Sequence, residues 1–499
     1  MILNGLGFSN RALYLTPRFF VNKPLEALLR PGVKAEHFNS SKLGKSLDAI
    51  YKYGAERLYA ELAAIVCSQE LIDTRFKSLD TTSISVTGEY DNDTDEHTIA
   101  ITHGYSKDKR PDLKQLVHEL LVSQDGGIPL MMKSWDGNSA DNKIFQRRVK
   151  FLLEGHKHSK WEGYLIFDSK GYDKVNAPNL QLLNFITRIP ASIKEEQSTI
   201  EHTSHIKASE WIILNEKYKY YPVDIEHYGI QQRWLVVQSK ESEARAHTTV
   251  LREINREYES ISKFKTSLLK QGYCCALDLS KALNKFSTKL KYHSLQDIKY
   301  EKIAEYEGKG RPKKGAEPIG HIFNCNFSFI LNETIKEKTI FQKTCFIVAS
   351  NANKAILSDA EVLIAYKNQN STVENMGFRF LKDPFFFVSS LFLKKEQRIE
   401  ALLMIMTLSL LVYSIAQRKL RLALKEKEEY VPNQIKRPSQ KPTMRWVFQL
   451  LDGIEIVYVK MNGVVHRTIS GLNEIKTKII SYFSKNVQFI YGLGEKKLC

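Results

Sequence analysis

Two aspartates and one glutamate carry the chemistry that the sequence suggests. Asp80 lies in the strand-like stretch SLDTTSISV, and Asp168 directly follows the short apolar run YLIF. Strands of one sheet bring side chains together whatever their separation in sequence, and carboxylate oxygens are the ligands that Mg²⁺ prefers. Far downstream, Glu374 is the only acid in the basic and aromatic segment from Tyr366 to Leu381. Three carboxylates from separate elements would form a site for two divalent ions.

Each of these acids also has an ordinary structural interpretation. An aspartate at the end of a strand commonly forms a turn, so both interpretations stay open for Asp80 and Asp168. Glu374 shares its segment with lysine and arginine, and mixed charges of this kind usually lie on a solvated helix face. The long apolar helix predicted directly after Glu374 would anchor the segment against a sheet, which favours the functional interpretation.

Hydrophobic periodicity predicts the elements that would position these acids. Residues 1–75 carry apolar side chains at helical spacing, and residues 78–86 alternate in the way that a strand does. A helix is expected to begin near Asp141. Short buried strands are expected at 164–167 and 185–188, with a brief helix between them.

The stretch 113–135 has two interpretations. Its leucines recur at the three- and four-residue steps of a helix, whereas the turn sequence DGG between two apolar runs is typical of a β-hairpin. Periodicity alone slightly favours the helix. In either case, the succession of strands and helices from residue 78 to residue 190 indicates an α/β fold.

Residues 191–357 interrupt this α/β order. They are predicted to contain paired strands, a long amphipathic helix, a second helix returning along it, and strands at 321–331 and 339–350. A charged stretch after Leu424 is typical of a linker, and a strand-rich segment at 446–466 and a last helix follow it. The predicted divisions are a helical N-terminal module at 1–75, two parts of an α/β core at 76–190 and 358–425, the insertion at 191–357, and a linker with a C-terminal tail at 426–499.

The composition favours a polyanionic partner. The chain has 73 Lys and Arg against 56 Asp and Glu, which gives a net charge of +17, and such a field attracts nucleic acid or an anionic membrane surface. The six cysteines have neither the spacing nor the density of a disulfide framework, which is typical of a reducing cytoplasm. The uncharged run Ala401–Ala416 has 16 residues, whereas a membrane span needs about 20. A buried helix is therefore the favoured interpretation of this run.

Several longer stretches resemble one family of proteins. They are LDTTSISVTGEY, GYSKDKRPDLKQLVHELLVSQDGGIPL, GYLIFDSKGYDKVNAPNLQLLNFITRIP and YKNQNSTVENMGFRFLKDP, in this order along the chain. Together they closely resemble bacterial insertion-sequence transposases of the DDE type, in the branch with a strand-containing insertion before the catalytic glutamate.

The resemblance implies a fold and decides the ambiguous stretch. The implied fold is an RNase-H-like mixed sheet flanked by helices, with an inserted β-rich and helical-hairpin subdomain and a helical N-terminal module. The first strand of such a core is followed by a hairpin, so the resemblance implies strands at 114–122 and 128–135. Relatives have a further helical segment upstream, so MILNGLGF is expected to lie inside their DNA-binding module.

The resemblance also implies roles for the three acids. The family's catalytic acids fall on Asp80, Asp168 and Glu374. They are expected to hold two Mg²⁺ ions, with Mn²⁺ able to substitute: Asp80 would bridge both ions, and Asp168 and Glu374 would each hold one. The segment DGNSAD, residues 136–141, is expected to end the hairpin and cap a helix, and the resemblance leaves open a supporting role near the metals.

Four residues around Glu374 are expected to contact DNA. Relatives carry a tyrosine, arginine, glutamate and lysine signature there. In this chain Tyr366 is present, Gln369 takes the arginine position, and Lys382 follows Glu374 by eight residues where the resemblance implies seven. One residue of offset rotates a helical side chain by about 100°. With Arg379, these side chains are the expected phosphate contacts.

The segment GKGRPKKG is a separate candidate for DNA binding. Arg311 and Lys313 stand among glycines and lysines around a proline, as in extended basic hooks that enter AT-rich minor grooves. A solvated basic loop is an equally good interpretation, and both stay open.

These features predict a Mg²⁺-dependent transposase that cleaves DNA at the ends of its mobile element and joins the freed 3′-hydroxyl to target DNA. The expected partners are double-stranded DNA, as terminal inverted repeats and target, and a second copy of the chain on that DNA; no membrane is expected. The first residues lack the pattern of a secretory signal, so the expected location is the bacterial cytoplasm, at the nucleoid when the protein binds DNA. An inactive DNA-binding remnant and a nuclease without strand transfer are the alternatives.

Overall fold

A computed structural model of the chain describes residues 1–8, 13–90, 98–155, 163–306, 314, 317–383 and 393–494. The chain forms two compact units. The first contains residues 1–187, 228–230 and 350–499, and the second contains residues 188–227 and 231–349. The second unit is therefore inserted into the sequence of the first. Both units contain helices and strands, so the chain has a mixed α/β fold.

The helices and strands follow one another along the chain in a mixed order. Up to residue 188 they are α1 Ile2–Gly5, α2 Thr16–Phe20, α3 Leu25–Leu28, α4 Ser40–Tyr53, α5 Ala55–Gln69, β1 Phe76–Val86, β2 Lys114–Ser123, β3 Ile128–Trp135, α6 Asp141–Gly155, β4 Tyr164–Phe167, α7 Ala177–Leu180 and β5 Phe185–Arg188. Up to residue 350 they are α8 Lys194–Thr203, β6 Ile212–Asn215, β7 Tyr218–His227, β8 Ile230–Ser239, α9 Lys240–Gln271, α10 Ala276–Ser287, β9 His293–Glu305, β10 Gly320–Leu331, α11 Glu333–Thr344 and β11 Cys345–Ser350. The remainder are α12 Asp359–Gln369, a π-helical segment Asn370–Phe378, α13 Arg379–Lys382, α14 Glu396–Glu426, β12 Val431–Pro432, β13 Pro438–Ser439, α15 Met444–Leu451, β14 Glu455–Met461, β15 Val464–Ser470, α16 Glu474–Ser481 and α17 Lys485–Ile490.

The first unit contains a mixed sheet with the strand order β3-β2-β1-β4-β5. The strands β1, β2 and β3 are antiparallel to one another in turn, whereas β4 is parallel to both β1 and β5. The hairpin predicted at 114–135 is therefore confirmed. Nine of the ten residues of β2 are buried, so this strand lacks the alternation of a one-sided strand, and its leucines mimic the period of a helix.

The long helix α14 forms much of the core of the first unit. Its buried residues pack with those of α4, α5, β1 and β2 in one hydrophobic cluster. Among the described residues, α14 is the helix long and apolar enough to cross a membrane, and 67% of its apolar window is buried inside the structure. The prediction that the run from 401 to 416 is a buried helix is confirmed.

A buried ion pair ties α6 to the sheet. The Arg148 guanidinium on α6 donates through Nε to Glu119 of β2, and both side chains are 1% exposed. Arg148 Nη1 also lies 2.9 Å from Glu56 Oε1 on α5, and Trp135 Nε1 donates to Glu119 Oε2 at 2.7 Å. Burial raises the pKa of the Glu119 carboxyl, and the charge of Arg148 opposes this rise. The pair fixes the helix that begins at Asp141.

His118 of β2 should make the stability of the protein pH-dependent. Its ring lies between Ser134 Oγ at 3.3 Å and Thr407 Oγ1 at 3.1 Å, and burial lowers its pKa from 6.5 to about 4. Between these pH values the unfolded chain binds a proton that the folded chain does not bind, so stability falls as the pH falls. We expect a loss of ~3 kcal/mol from pH 7 to pH 4 through this residue.

Urea unfolding of the wild type and of His118→Gln at several pH values measures this loss. The substitution removes the titrating ring, so the pH dependence of its unfolding free energy should be shallower over this window. Parallel curves for the two proteins would contradict the prediction.

The second unit contains four strands in the order β11-β8-β7-β6 and a long two-stranded ribbon of β9 and β10. The predicted helical hairpin is observed as α9 and α10, which share a hydrophobic cluster with β10. The ribbon strand β9 has no counterpart in the prediction. A strand predicted over 339–350 is wrong in its first half, because residues up to Thr344 belong to α11. The Asn332 side chain caps that helix by accepting from Ile335 N at 3.1 Å.

The C-terminal stretch also differs in part from its prediction. The strand-rich segment expected at 446–466 begins inside α15, whose first turn is capped by the Thr443 hydroxyl accepting from Trp446 N at 3.3 Å. The strands β14 and β15 form an antiparallel hairpin after it. Part of the expected linker forms the short pair β12–β13, and Val431 packs in one cluster with α14, α15 and α16. The five-part division of the chain stays a prediction.

Candidate active site

Asp80 and Asp168 lie side by side in the sheet of the first unit. The parallel register pairs Phe76 with Tyr164 and Ser78 with Ile166, a constant offset of 88 residues. Continued for two residues, the same offset sets Asp80 opposite Asp168, one at the middle of β1 and the other just after β4. Neighbouring strands are about 5 Å apart. The two carboxylates therefore belong to one site, although 88 residues separate them in sequence.

Asp80 is a strongly perturbed acid. Burial of its carboxyl raises its pKa to about 8; the Lys107 ammonium opposes this rise, while the charges of Asp168 and Glu374 add to it. Its Oδ1 accepts a hydrogen bond from Thr81 N at 2.7 Å. The two acids predicted to act with Asp80 therefore lie close enough to influence it electrostatically.

Asp168 begins a short 3-10 helix, Ser169–Gly171. Its Oδ1 accepts from Lys170 N at 3.0 Å, and its backbone oxygen accepts from Thr187 Oγ1 at 3.2 Å. Burial raises the pKa of the Asp168 carboxyl, against the hydrogen bond from Lys170 and the ammoniums of Lys170 and Lys107. The turn-forming role and the site role considered for this residue are thus both compatible with its geometry.

Glu374 lies in the π-helical segment Asn370–Phe378 between α12 and α13. Its side chain is exposed. The segment comes close to the sheet at Gly377, where an added Cβ would lie 3.3 Å from Leu120 Cδ1 of β2. A glycine is therefore what lets the backbone that carries Glu374 approach the strand next to β1 so closely.

Gly377→Val should displace this segment. The added side chain would overpack against Leu120, and overpacking of this kind costs about 1–3 kcal/mol. Urea unfolding should detect a lower stability than that of Gly155→Val, because an added Cβ at Gly155 meets no atom of the described residues within 4 Å outside its own helix. Equal losses in the two variants would contradict the close contact.

The predicted phosphate-binding residues have different surroundings. Arg379 is exposed and Tyr366 is partly buried, whereas Gln369 is only 7% exposed and does not present its amide to solvent. Lys382 Nζ forms an ion pair with Asp108 Oδ1 at 2.6 Å. Contact of these four side chains with DNA stays a prediction. Arg311 and Lys313 lie outside the described residues.

Two lysines and a hydroxyl that the sequence did not single out belong to the same site. Lys107 Nζ donates to Thr81 O at 2.6 Å and to Thr81 Oγ1 at 2.8 Å. Asp141 at the start of α6 pairs with both Lys107 and Lys170. Burial alone would raise the pKa of Asp141, but the two ammoniums and the Thr81 hydroxyl lower it. Lys170 could have been identified as a site residue from the sequence, because it follows the predicted catalytic acid Asp168 by two residues.

The carboxylates of Asp80 and Asp168 are suitable ligands for Mg²⁺, and they would form part of a metal site. Asp80 and Asp168 line one small cavity together with Asp141 and Lys170, and Mg²⁺ is commonly held by one or two carboxylates, with water and substrate oxygens completing its shell. Within the described ranges, no three His, Cys, Asp or Glu side chains form a ready-made metal cluster. A divalent cation would favour the charged form of Asp80, whose pKa is raised first by burial and further by the charges of Asp168 and Glu374.

Comparison with known proteins gives a family-model match and a structural similarity that can be described in detail. The model of a domain of unknown function, DUF4277, matches residues 1–64, and no curated protein matches the sequence. Among solved structures, the chain is similar to piggyBac transposase in a synaptic complex with hairpin DNA. The two are 10% identical, the match covers 90% of this chain and 70% of that chain, and the TM-score is 0.35. The sequence match thus covers most of the N-terminal helical module.

Proposed function

We propose that the protein is a DDE-type DNA transposase, with Asp80, Asp168 and Glu374 as its catalytic acids. The observation that carries the proposal is that Asp80 of β1 and Asp168, directly after the neighbouring parallel strand β4, line one cavity and lie close enough for the charge of Asp168 to act on Asp80. The electrostatic influence of Glu374 on Asp80 supports its membership of the same site. Paired carboxylates of this kind are suited to phosphoryl transfer assisted by divalent metal ions.

Two further observations support the proposal. The strand order β3-β2-β1-β4-β5, with three antiparallel strands followed by two parallel ones, supports an RNase-H-like core. The net charge of +17 suits a DNA partner.

Asp80, Asp168 and Glu374 would hold Mg²⁺ in this proposal, with Mn²⁺ able to substitute. Bound there, the ions would activate the attacking oxygen and stabilise the leaving oxygen. The chain itself keeps one carboxylate on β1 and the other directly after the neighbouring strand β4, and the Lys107 ammonium offsets part of their charge.

The proposed reaction has two steps. Water attacks the phosphorus at the end of the element, an O–P bond forms, and the bond from phosphorus to the 3′ oxygen breaks; that oxygen takes up the proton. The new 3′-hydroxyl then attacks a phosphorus of target DNA, and the 3′ oxygen of the target strand leaves with the proton. Because both ends of the element are joined to one target, two copies of the chain would act together on the DNA.

An end-cleavage assay tests this function. Purified protein with Mg²⁺ and linear DNA that carries the inverted repeats flanking its own gene should yield cleaved ends and joined products. Glu374→Gln should abolish both without loss of DNA binding. Cleavage without joining would indicate a nuclease, and binding without either product would indicate an inactive remnant.

A further inference from the structure

A second cavity lies beside the acid pair in the first unit. It has a volume of about 360 Å³, and its lining includes Ser83, Tyr105, Lys107, Asn142 and Lys170. Asp141 and Lys170 also line the small cavity of Asp80 and Asp168. The two cavities are therefore neighbours, with Asp141 and Lys170 at the boundary between them.

Asp141 holds two ammonium groups at this boundary. Its Oδ2 lies 3.3 Å from Lys107 Nζ and also accepts from Lys170 Nζ, while its Oδ1 accepts from Thr81 Oγ1 at 2.6 Å. Lys107 donates hydrogen bonds to Thr81 O and Thr81 Oγ1 and also forms an ion pair with Asp141. Lys107 is thus fully engaged and acts as a fixed charge.

Lys170 has donors to spare. An ammonium carries three N–H groups, and among the described residues the Lys170 ammonium donates one hydrogen bond, to Asp141. Its side chain is 49% exposed. It also lies 6.0 Å from the centre of the Tyr105 ring, which is itself 83% exposed. The remaining N–H groups can therefore meet a ligand in the larger cavity.

The charges of the boundary favour an anion. The larger cavity is lined by two ammoniums, those of Lys107 and Lys170, and by the single carboxylate of Asp141. Asp80 and Asp168 line the small cavity instead, and their charges also act on Lys170 from that side. Two like charges held by a single counter-ion repel each other, and a second anion removes that repulsion. A phosphate group carries the charge and the acceptor oxygens that the free donors of Lys170 require.

We propose that Lys170 is a substrate-contacting residue, whose ammonium binds a phosphate of the cleaved DNA strand next to the scissile bond. The proposal rests on the proposed function, since Asp168, two residues before Lys170, is assigned there to the reacting phosphate. Asp141 positions the ammonium, and Lys107 balances the charge of Asp141. Lys170 lies in the same turn as Asp168. The phosphate that Lys170 contacts is therefore expected to be next to the phosphate at which the reaction occurs.

Methylphosphonate scanning of the DNA tests this contact. Each duplex of a series carries one neutral methylphosphonate, and its position moves stepwise around the cleavage point. Binding is measured in Ca²⁺, so that the affinity does not depend on turnover. For the wild type, one position next to the cleaved bond should bind about tenfold more weakly than unmodified DNA. Lys170→Met should lose a similar factor on unmodified DNA and lose nothing more at that position.

Control variants and salt dependence complete the test. The logarithmic salt slope of binding should fall by about one for Lys170→Met. It should stay close to the wild-type value for Lys170→Arg, which keeps the charge. Lys150→Met removes an exposed charge farther along α6 and should leave the methylphosphonate profile unchanged.

The outcomes separate this inference from the proposed function. A Lys170→Met protein that retains the full methylphosphonate sensitivity of the wild type overturns the phosphate contact, whatever the activity. A wild type that binds DNA with the expected profile but cleaves none of it overturns the proposed function and leaves the contact standing. Thermal unfolding of each variant confirms that the fold is intact before binding is compared.

Discussion

Asp80→Asn and Asp168→Asn are each expected to lower the rate of DNA end cleavage by at least about 10³-fold. Each removes one carboxylate of the pair formed by Asp80 on β1 and Asp168 directly after β4. An amide neither carries the charge nor binds a divalent ion as strongly. The amide has nearly the same shape, so the sheet should keep its structure. Gel-based cleavage of end-sequence DNA in Mg²⁺ measures the loss.

The matched control for these variants is Asp112→Asn, which removes an exposed carboxylate of the same unit that pairs with Arg110. It should retain wild-type cleavage. Calorimetric titration with Mn²⁺ gives a second measurement that does not depend on turnover, and binding should weaken for Asp80→Asn but not for the control. Cleavage by Asp168→Asn at the rate of Asp112→Asn would exclude the acid pair from the chemistry.

Arg148→Met is expected to lower the free energy of unfolding by about 3–5 kcal/mol. The substitution leaves the Glu119 carboxyl buried beside Trp135 without its guanidinium partner, and an unpaired buried charge is strongly destabilising. Urea unfolding at neutral pH measures this change. Because the pair holds α6 against β2, the variant should also loosen Asp141 at the start of that helix.

Two further variants separate the ion pair from ordinary loss of side-chain volume. Arg147→Met changes the neighbouring residue on the same helix, whose guanidinium lies 5.8 Å from the Trp135 ring, and should cost no more than about 1 kcal/mol. The double variant Glu119→Leu with Arg148→Met removes both charges and should recover part of the lost stability. A double variant less stable than Arg148→Met alone would contradict the charge argument.

The acid-bearing strands could be predicted from sequence because their signals are local. Tyr164–Phe167 is a short apolar run ended by an aspartate, and Asp80 stands in a run of β-branched residues; both were found as strands. Periodicity could not decide the hairpin at 114–135, because β2 is buried on both faces and no longer alternates. There the resemblance to a family supplied what the local pattern lacked.

Other parts of the site had no local signal. Lys107 lies in a loop, 27 residues after Asp80 in sequence, and it reaches the acids through hydrogen bonds to Thr81 that only the folded sheet creates. The β-branched and aromatic side chains at 339–344 favour a strand, whereas the cap at Asn332 starts the helix α11 before them. The contacts of Lys107 thus depend on tertiary structure. At 339–344 the helix cap outweighed the strand propensity of the side chains.

The π-helical segment around Glu374 bears on how this sequence could have diverged. Hydrogen bonds in a π-helix run from residue i to residue i+5, so one turn takes up about a residue more than an α-helical turn. A single codon can therefore be gained or lost between α12 and α13 while the flanking helices keep their faces toward the sheet. The interval from Glu374 to Lys382 is eight residues, one more than the resemblance implies, and the π-helical segment is a place where the backbone can accommodate an added residue. Sequence alignments of this region should accordingly allow a one-residue gap inside a helix.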